Sequence, residues 1–190
     1  MRPSRALCLF TAVITLQVAS GGQSSPGSSA LNTAMVGRWT GVLEYRDYSE
    51  PPSSPKRVQL PTWLTIETLP NSTQRWQYIY DDGPDKLLEE TELVTFDPKA
   101  STYVTKAKGK TANYDVSGFE SLKDGRGELT ITGKTTENGK SADQRITLRV
   151  FRNLITVLDE TRPAGSNETY AFRHSYTFTR TDAPSKTARR

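Results

Sequence analysis

A segment near the C-terminus combines the only histidine of the chain with a row of aromatic residues. Aromatic side chains recur there at every second position, and His174 stands in the middle of the row. Such alternation places these residues on one face of a β-strand. A face of aromatic rings with few polar groups is suited to binding a flat or apolar small molecule. The row consists of Tyr170, Phe172, His174, Tyr176 and Phe178.

Two earlier segments carry aromatic residues with the same spacing. Trp39 and Tyr45 share one face of an early strand, and Trp76 shares a face with Tyr78 and Tyr80. We expect one closed sheet to turn these faces toward a common interior. The predicted ligand-binding residues are Trp39, Tyr45, Trp76, Tyr78, Phe172, His174 and Tyr176. The alternative is that the same rings fill a solid core, as side chains do in small barrels.

The sequence lacks the common catalytic and metal-binding patterns. Any histidine-dependent triad would have to use His174, and no Gly-x-Ser-x-Gly motif accompanies it. The only cysteine, Cys8, lies in a segment that we expect to be removed. A zinc site built on several histidine or cysteine ligands is excluded by these counts. We therefore predict a non-catalytic protein without a metal, and no cofactor is required.

The acidic clusters and the sequons have ordinary interpretations. Residues 81–85 have the composition of a turn and lack the spacing of a calcium-binding loop. The glutamates within residues 89–92 are expected on solvated strand faces. Asn71 and Asn167 begin N-x-S/T sequons, whose use depends on whether the source cell glycosylates exported proteins.

The N-terminus has the pattern of a targeting segment. A basic start precedes an apolar run from Ala6 to Val18, and small residues follow it at Ala19 and Ser20. This is typical of a signal peptide, and the run is too short to be a transmembrane helix. We therefore predict a signal peptide over residues 1–20 and a secreted or periplasmic product without a membrane anchor.

Composition divides the remaining chain into three parts. Residues 21–34 are rich in glycine and serine and are predicted to form a flexible linker. Residues 35–180 contain the strand-like segments and should form one domain, and residues 181–190 should form a disordered tail.

The net charge of +4 does not indicate a nucleic-acid partner. The excess basic residues lie in the first 20 and the last ten positions, and the charges between them balance. A nucleic-acid-binding domain is expected to carry a basic face on its folded part. We therefore expect no nucleic-acid partner, and a small apolar molecule is the partner that the aromatic rows favour.

The pattern between residues 35 and 180 predicts an all-β domain. Period-two alternation is frequent, and helical spacing is rare. Turn signals separate the runs, among them Asp124-Gly125 and Asn138-Gly139. Consecutive hairpins favour an antiparallel up-and-down barrel of about 8–10 strands, because closure removes exposed edges.

The segment Gly37-x-Trp39-x-Gly41 resembles the opening of calycin proteins, the superfamily of lipocalins and fatty-acid-binding proteins. The resemblance implies a calycin-like barrel whose first-strand tryptophan closes one end. Neither the disulfide nor the C-terminal helix usual in lipocalins is predicted here. The segment from Val36 to Tyr48, together with that from Tyr78 to Lys86, is also similar to small uncharacterised exported bacterial proteins that begin W-x-G-x-L-x-Y-x-D-Y.

A lone histidine near the C-terminus of such a barrel also resembles the nitrobindins, a family of haem-binding barrels. That resemblance implies that His174 would ligate haem iron. The nitrobindin opening Gly-x-Gly-x-Tyr-Pro is absent, since Tyr45 is followed by Arg46.

Three functional hypotheses follow. The first is an exported, non-catalytic barrel that binds a small apolar or aromatic ligand. The second is a solid-core structural or protein-interaction module with no ligand, and the third is a haem-binding barrel. An interior cavity lined by the named rings would favour the first or the third over the second.

Overall fold

The computed structural model describes residues 26–51 and 54–181. The signal peptide predicted for residues 1–20 lies outside the described residues. So do residues 21–25 of the predicted linker and the predicted tail from residue 182 onward.

The described residues form ten strands, one α-helix and one short 3-10 helix. The α-helix, α1, spans Pro26–Met35, and the 3-10 helix spans Phe119–Ser121. No helix in these residues is long and apolar enough to span a membrane. The strands are β1 (Gly37–Arg46), β2 (Arg57–Thr68), β3 (Thr73–Asp81), β4 (Leu87–Asp97), β5 (Thr102–Ala107), β6 (Lys110–Ser117), β7 (Gly127–Glu137), β8 (Lys140–Val150), β9 (Leu154–Pro163) and β10 (Ala171–Arg180).

The strands form a closed barrel with simple up-and-down connections. Each strand pairs antiparallel with the next one in the chain, and β10 pairs with β1 to complete the ring. The predicted all-β antiparallel barrel is therefore confirmed, with ten strands. The predicted turn between β7 and β8 has φ values of 50° at Asn138 and 75° at Gly139. An Asn-Gly pair favours this hairpin because both central positions of a type I′ turn need positive φ.

The helix α1 covers one end of the barrel, which we call the closed end. Leu31 and Met35 lie one helical turn apart, and neither side chain is exposed. Beneath them Trp39 is 1% exposed, and its indole nitrogen donates a hydrogen bond to the carbonyl of Met35 at 2.9 Å. Gln74 of β3 donates to the carbonyl of Asn32 at 3.0 Å, which ties the helix to the sheet.

The structure corrects the linker prediction for residues 26–34. These residues form most of α1 and are part of the domain. Their composition suggested flexibility because apolar residues are few, but Leu31, Ala34 and Met35 share the helical face that packs on the closed end. Burial of that face supplies free energy that a short isolated helix would lack.

Gly41 allows β1 and β10 to approach closely where the barrel closes. A β-carbon at Gly41 would overlap the backbone carbonyl of Thr177 on the neighbouring strand. Any other residue would therefore have to push the two backbones apart. Gly41 and Trp39 thus have separate roles in the same short segment, one in closing the sheet and the other in filling the closed end.

Candidate functional site

The half of the barrel that lies away from α1 contains a cavity of about 280 Å³. Strands β3 to β10 all contribute side chains to its wall. Aromatic rings form one part of the wall, and charged and amide groups form another. The cavity lies on the same inward faces that pack solidly at the closed end.

The aromatic part of the wall comes mainly from β3 and β10. Alternation along β3 turns Trp76, Tyr78 and Tyr80 inward, where they meet Tyr176. The ring centroids of Tyr78 and Tyr176 are 5.6 Å apart, and the hydroxyls of Tyr80 and Tyr176 are 3.1 Å apart. Because β1 and β2 separate these strands in the sheet, the contacts cross the barrel interior.

These tyrosines keep their protons at neutral pH. Burial raises the pKa of Tyr176 to about 12 and also raises the pKa values of Tyr78 and Tyr80. Each phenol therefore presents an apolar ring face together with a hydroxyl that can donate or accept a hydrogen bond.

Tyr103 and Tyr114 continue the wall on β5 and β6, with ring centroids 5.7 Å apart. The carboxyl of Glu92 lies in the same wall, and burial raises its pKa. Glu90 also lines the cavity and forms an ion pair with Lys108. This side of the cavity therefore places two carboxyl groups among aromatic rings.

Four side chains form a polar cluster on the facing strands β8, β9 and β10: Gln144, Asp159, Arg173 and His174. The side-chain amide of Gln144 donates to Oδ2 of Asp159 at 2.8 Å. Arg173 donates to the same oxygen at 3.4 Å, and Nε2 of His174 lies 3.5 Å from it. One carboxylate oxygen therefore faces all three neighbours.

Burial sets the protonation states in the polar cluster. Burial raises the pKa of Asp159 to about 6, although Arg173 and the bond from Gln144 act in the opposite direction. Burial, followed by the charge of Arg173, lowers the pKa of His174 to about 4. Near pH 7 Asp159 is therefore mainly a carboxylate and His174 a neutral imidazole.

Two acceptor atoms of the polar cluster have no hydrogen-bond partner in the described part of the chain. They are Oδ1 of Asp159 and Oε1 of Gln144. The residues are only 2% and 5% exposed, respectively. Such buried orphan acceptors are uncommon, and each needs a physical explanation.

A β-bulge in β10 explains how both Arg173 and His174 reach the cavity. Phe172 pairs with Glu160 and His174 with Asp159, so Arg173 is an extra residue in β10. Val157 and Asp159 line the cavity, so alternation along β9 turns the next residue, Glu160, to the outer face. Phe172 pairs with Glu160 and therefore lies on the outer face as well. The bulge therefore interrupts the single aromatic row that strict alternation predicts.

The seven predicted ligand-binding residues occupy different places. Trp76, Tyr78, His174 and Tyr176 line the cavity. Trp39 packs at the closed end, and Tyr45 pairs with His174 without belonging to the cavity wall. Phe172 lies on the outer face, where the guanidinium of Arg57 stacks 4.5 Å from its ring. The structure thus brings four of the seven together.

The sequence prediction missed most of the polar residues of the cavity. Asp159 follows Ile155 and Val157 at the spacing of an inward face, so a carboxylate in that series was the available signal. Arg173 could not be found by the same rule because the bulge breaks the alternation. Glu90 and Glu92 were expected in solvent, but both line the cavity.

A second pocket, of about 370 Å³, lies at the end of the barrel opposite α1, which we call the mouth. Arg46 at the end of β1 donates to Glu137 at the end of β7, with 2.7 Å between nitrogen and oxygen. Thr161 donates to the other carboxylate oxygen of Glu137. These contacts link strands on different sides of the mouth.

Comparison with known proteins identifies the fold. No family model matches the chain, and no curated protein sequence matches it. Among solved structures the chain is similar to that of Rv2717c from M. tuberculosis, with a TM-score of 0.54 and 11% identity. The match covers 83% of this chain and 99% of the other. At this identity the likeness supports the barrel fold alone.

Proposed function

We propose that this protein is an exported, non-catalytic barrel that binds a small aromatic or largely apolar molecule. The cavity of about 280 Å³, with Trp76, Tyr78 and Tyr176 in its wall, is the observation that carries the proposal. Its volume is just below the usual range for ligand pockets, which begins at about 300 Å³. It therefore suits a compact ligand with one ring or two fused rings.

The walls of the cavity support binding more than they support a solid core. A barrel that needed its aromatic rings only for packing would fill its interior, as this one does at the closed end. The half nearer the mouth instead surrounds open volume with tyrosine hydroxyls and carboxyl groups. A calycin-like kinship, which the segment around Trp39 suggests, would be consistent with this proposal.

Native mass spectrometry of the protein purified from its own host tests the proposal directly. We expect a mass increment, lost on denaturation, from a small molecule held in the cavity. The binding site can be checked with Ala107→Trp, because Ala107 lines the cavity and a large ring there would occupy it. The matched control is Lys106→Trp, whose side chain lies exposed on the other face of β5.

The two tryptophan variants distinguish binding in the cavity from binding elsewhere on the protein. Loss of the increment in Ala107→Trp and its retention in Lys106→Trp would support binding in the cavity. An increment that survives in both folded variants would mean that the molecule binds elsewhere. A protein that carries no small molecule and binds none in a screen of aromatic compounds would contradict the proposal.

Haem is a second candidate on one observation, the neutral imidazole of His174 in the cavity wall, but the four-pyrrole ring of haem exceeds a volume of about 280 Å³, so binding would require the cavity to widen. Histidine is a common axial ligand of haem iron, which would supply redox or gas-binding chemistry. We expect a shifted Soret band when haem is added and no shift with His174→Ala. Ser175→Ala, on the opposite face of β10, is the control. The absence of a shift in the wild-type protein would eliminate haem.

A further inference from the structure

We propose that the cavity selects a protonated arylalkylamine, with the ammonium group held at Asp159 and Gln144 and the ring placed among the tyrosines. This inference rests on the proposed binding function and specifies the class of ligand. It is carried by the orphan acceptors, the balance of charge in the cavity and the position of the rings.

The first observation is that two acceptor atoms of the polar cluster receive no hydrogen bond from the described residues. The NH₂ group of Gln144 is committed to Oδ2 of Asp159, because only that end of the amide can donate to a carboxylate. Oε1 of Gln144 and Oδ1 of Asp159 are therefore both left to accept. Both atoms are buried and belong to residues that line the cavity, so a ligand group must enter the polar cluster to reach them. A ligand that matches them must bring hydrogen-bond donors, and an ammonium group brings three.

The second observation is the sign of the charge. The cavity wall contains three carboxyl groups, and since Glu90 is paired with Lys108, Glu92 and Asp159 remain against the single guanidinium of Arg173. His174 adds no charge near pH 7, since burial holds its pKa at about 4. A cation is therefore favoured over an anion, and a charge-assisted hydrogen bond to Asp159 would be stronger than a neutral one.

The third observation is the arrangement of rings near these acceptors. Tyr176 contacts His174 edge to face, with centroids 5.5 Å apart, and also contacts Tyr78. The polar cluster and the aromatic wall are therefore adjacent within one small cavity. A ligand that joins an amine to an aromatic ring by a short linker can satisfy both parts, and ring faces also attract cations.

An anionic ligand is the main rival, because Arg173 also lines the cavity. Its guanidinium lies 3.4 Å from Oδ2 of Asp159 and is already shared with that carboxylate. An incoming carboxylate would approach Asp159 itself and would leave the two orphan acceptors unmatched. The anion is therefore an outcome that would contradict the inference.

The affinity of the cavity for an amine should depend on pH through Asp159 and His174. As pH falls through about 6, Asp159 takes up a proton and loses its attraction for a cation. Protonation of His174 near pH 4 adds repulsion, while an alkylamine stays protonated throughout this range. Affinity for the amine should therefore decrease on acidification. The other titratable groups that influence or are influenced by Asp159 are Tyr103, Tyr114, Glu137, Glu160, Arg173 and Tyr176.

Isothermal titration calorimetry of the full chain with three indoles tests the inference. The probes are tryptamine, 3-methylindole and indole-3-propionic acid, which share a ring and differ in charge. We expect tryptamine to bind most tightly at pH 7.5 and less tightly at pH 5. Asp159→Asn should weaken tryptamine roughly tenfold or more, the loss typical of a charged hydrogen bond, and should affect 3-methylindole much less.

Two further variants control the experiment. Asp115→Asn removes an exposed carboxylate on the outer face of β6 and should leave all three affinities unchanged. Gln144→Met removes the second orphan acceptor and should weaken tryptamine selectively. Thermal melting of each variant confirms that it is folded before its affinity is compared.

The outcomes distinguish this inference from the proposed function. Equal binding of tryptamine and 3-methylindole would overturn the amine specificity while leaving small-molecule binding intact. Tighter binding of indole-3-propionic acid, or an unchanged tryptamine affinity in Asp159→Asn, would also overturn it. If none of the three indoles binds, the inference is overturned too. The mass-spectrometric test would then decide separately whether any ligand binds.

Discussion

The closed end of the barrel and the cavity half are built from the same strands, but their inward faces differ in chemistry. On β10 the inward residues change from Phe178 at the closed end to Tyr176 and then to His174. On β9 they change from Ile155 through Val157 to Asp159. The barrel thus becomes more polar and less filled along its own axis.

The closed end has the features of a stabilising core, and the cavity half has the features of a binding site. The closed end buries apolar side chains beneath α1, where close packing stabilises the fold. The cavity half keeps a buried carboxylate and two orphan acceptors, which are unfavourable for folding. Groups that cost stability are commonly retained where they serve function. The comparison therefore supports the proposal that the cavity half is the binding region.

Truncation of neighbouring rings on β10 tests the comparison with the largest expected effect. Phe178 is 1% exposed in the packed region, so Phe178→Ala should cost about 3–5 kcal/mol in the free energy of unfolding. Tyr176 already borders open volume, so Tyr176→Ala should cost clearly less. Urea denaturation of both variants measures the difference. Equal losses would show that the cavity half is packed as tightly as the closed end.

Neutralising Asp159 tests whether the buried carboxylate of the cavity half is unfavourable for folding. Burial raises the pKa of Asp159 from 3.8 to about 6, so the native state holds the proton more tightly than the unfolded chain. Stability from this group is present at low pH and is lost as pH rises through about 6. Asp159→Asn should therefore stabilise the protein at pH 7 by at most about 3 kcal/mol.

The gain from Asp159→Asn should shrink as pH falls from about 6 and become small below about 3.8, where the carboxyl of the unfolded chain also takes up its proton. Urea denaturation at pH 7 and at pH 3.5 measures this. The exposed Asp115→Asn provides the control and should show no comparable gain at either pH. Destabilisation by Asp159→Asn at pH 7 would indicate that Arg173 and Gln144 more than offset the cost of burial.

The two regions also differ in how far the sequence could predict them. Regular alternation was sufficient for the closed barrel and for four cavity residues, because each strand obeys the period of two. It failed at Phe172, since a bulge is set by pairing across strands and not by the order of residues. It also failed for α1, whose short apolar face is stable only against the barrel.

The carboxylates of the cavity show a further limit of prediction from composition. Glu92 has the sequence context of a solvated strand residue, yet its side chain points inward and burial raises its pKa. Only the closure of the sheet, which brings β4 beside β3 and β5 around one interior, reveals that environment.

Two ion pairs, one at the mouth and one on the outer wall, extend the comparison between regions, and the expected effects are the smallest. At the mouth, the side chains of Arg46 and Glu137 are only 10% and 16% exposed. On the outer wall, those of Arg75 and Glu67 are 41% and 47% exposed. Removing one partner of a shielded pair leaves the other charge poorly hydrated, whereas water compensates for the loss on the surface.

Arg46→Gln should therefore cost about 1–3 kcal/mol in the free energy of unfolding, because among the described residues Glu137 would keep Thr161 alone as a partner. Arg75→Gln should cost less than about 1 kcal/mol, and that small loss should shrink further in high salt. Denaturant titrations of both variants at low and high ionic strength make the test. If Arg46→Gln proves as mild and as salt-sensitive as Arg75→Gln, the mouth is hydrated like the outer wall. If it proves costlier and less sensitive to salt, the pair between Arg46 and Glu137 is shielded from water, as its low exposure indicates.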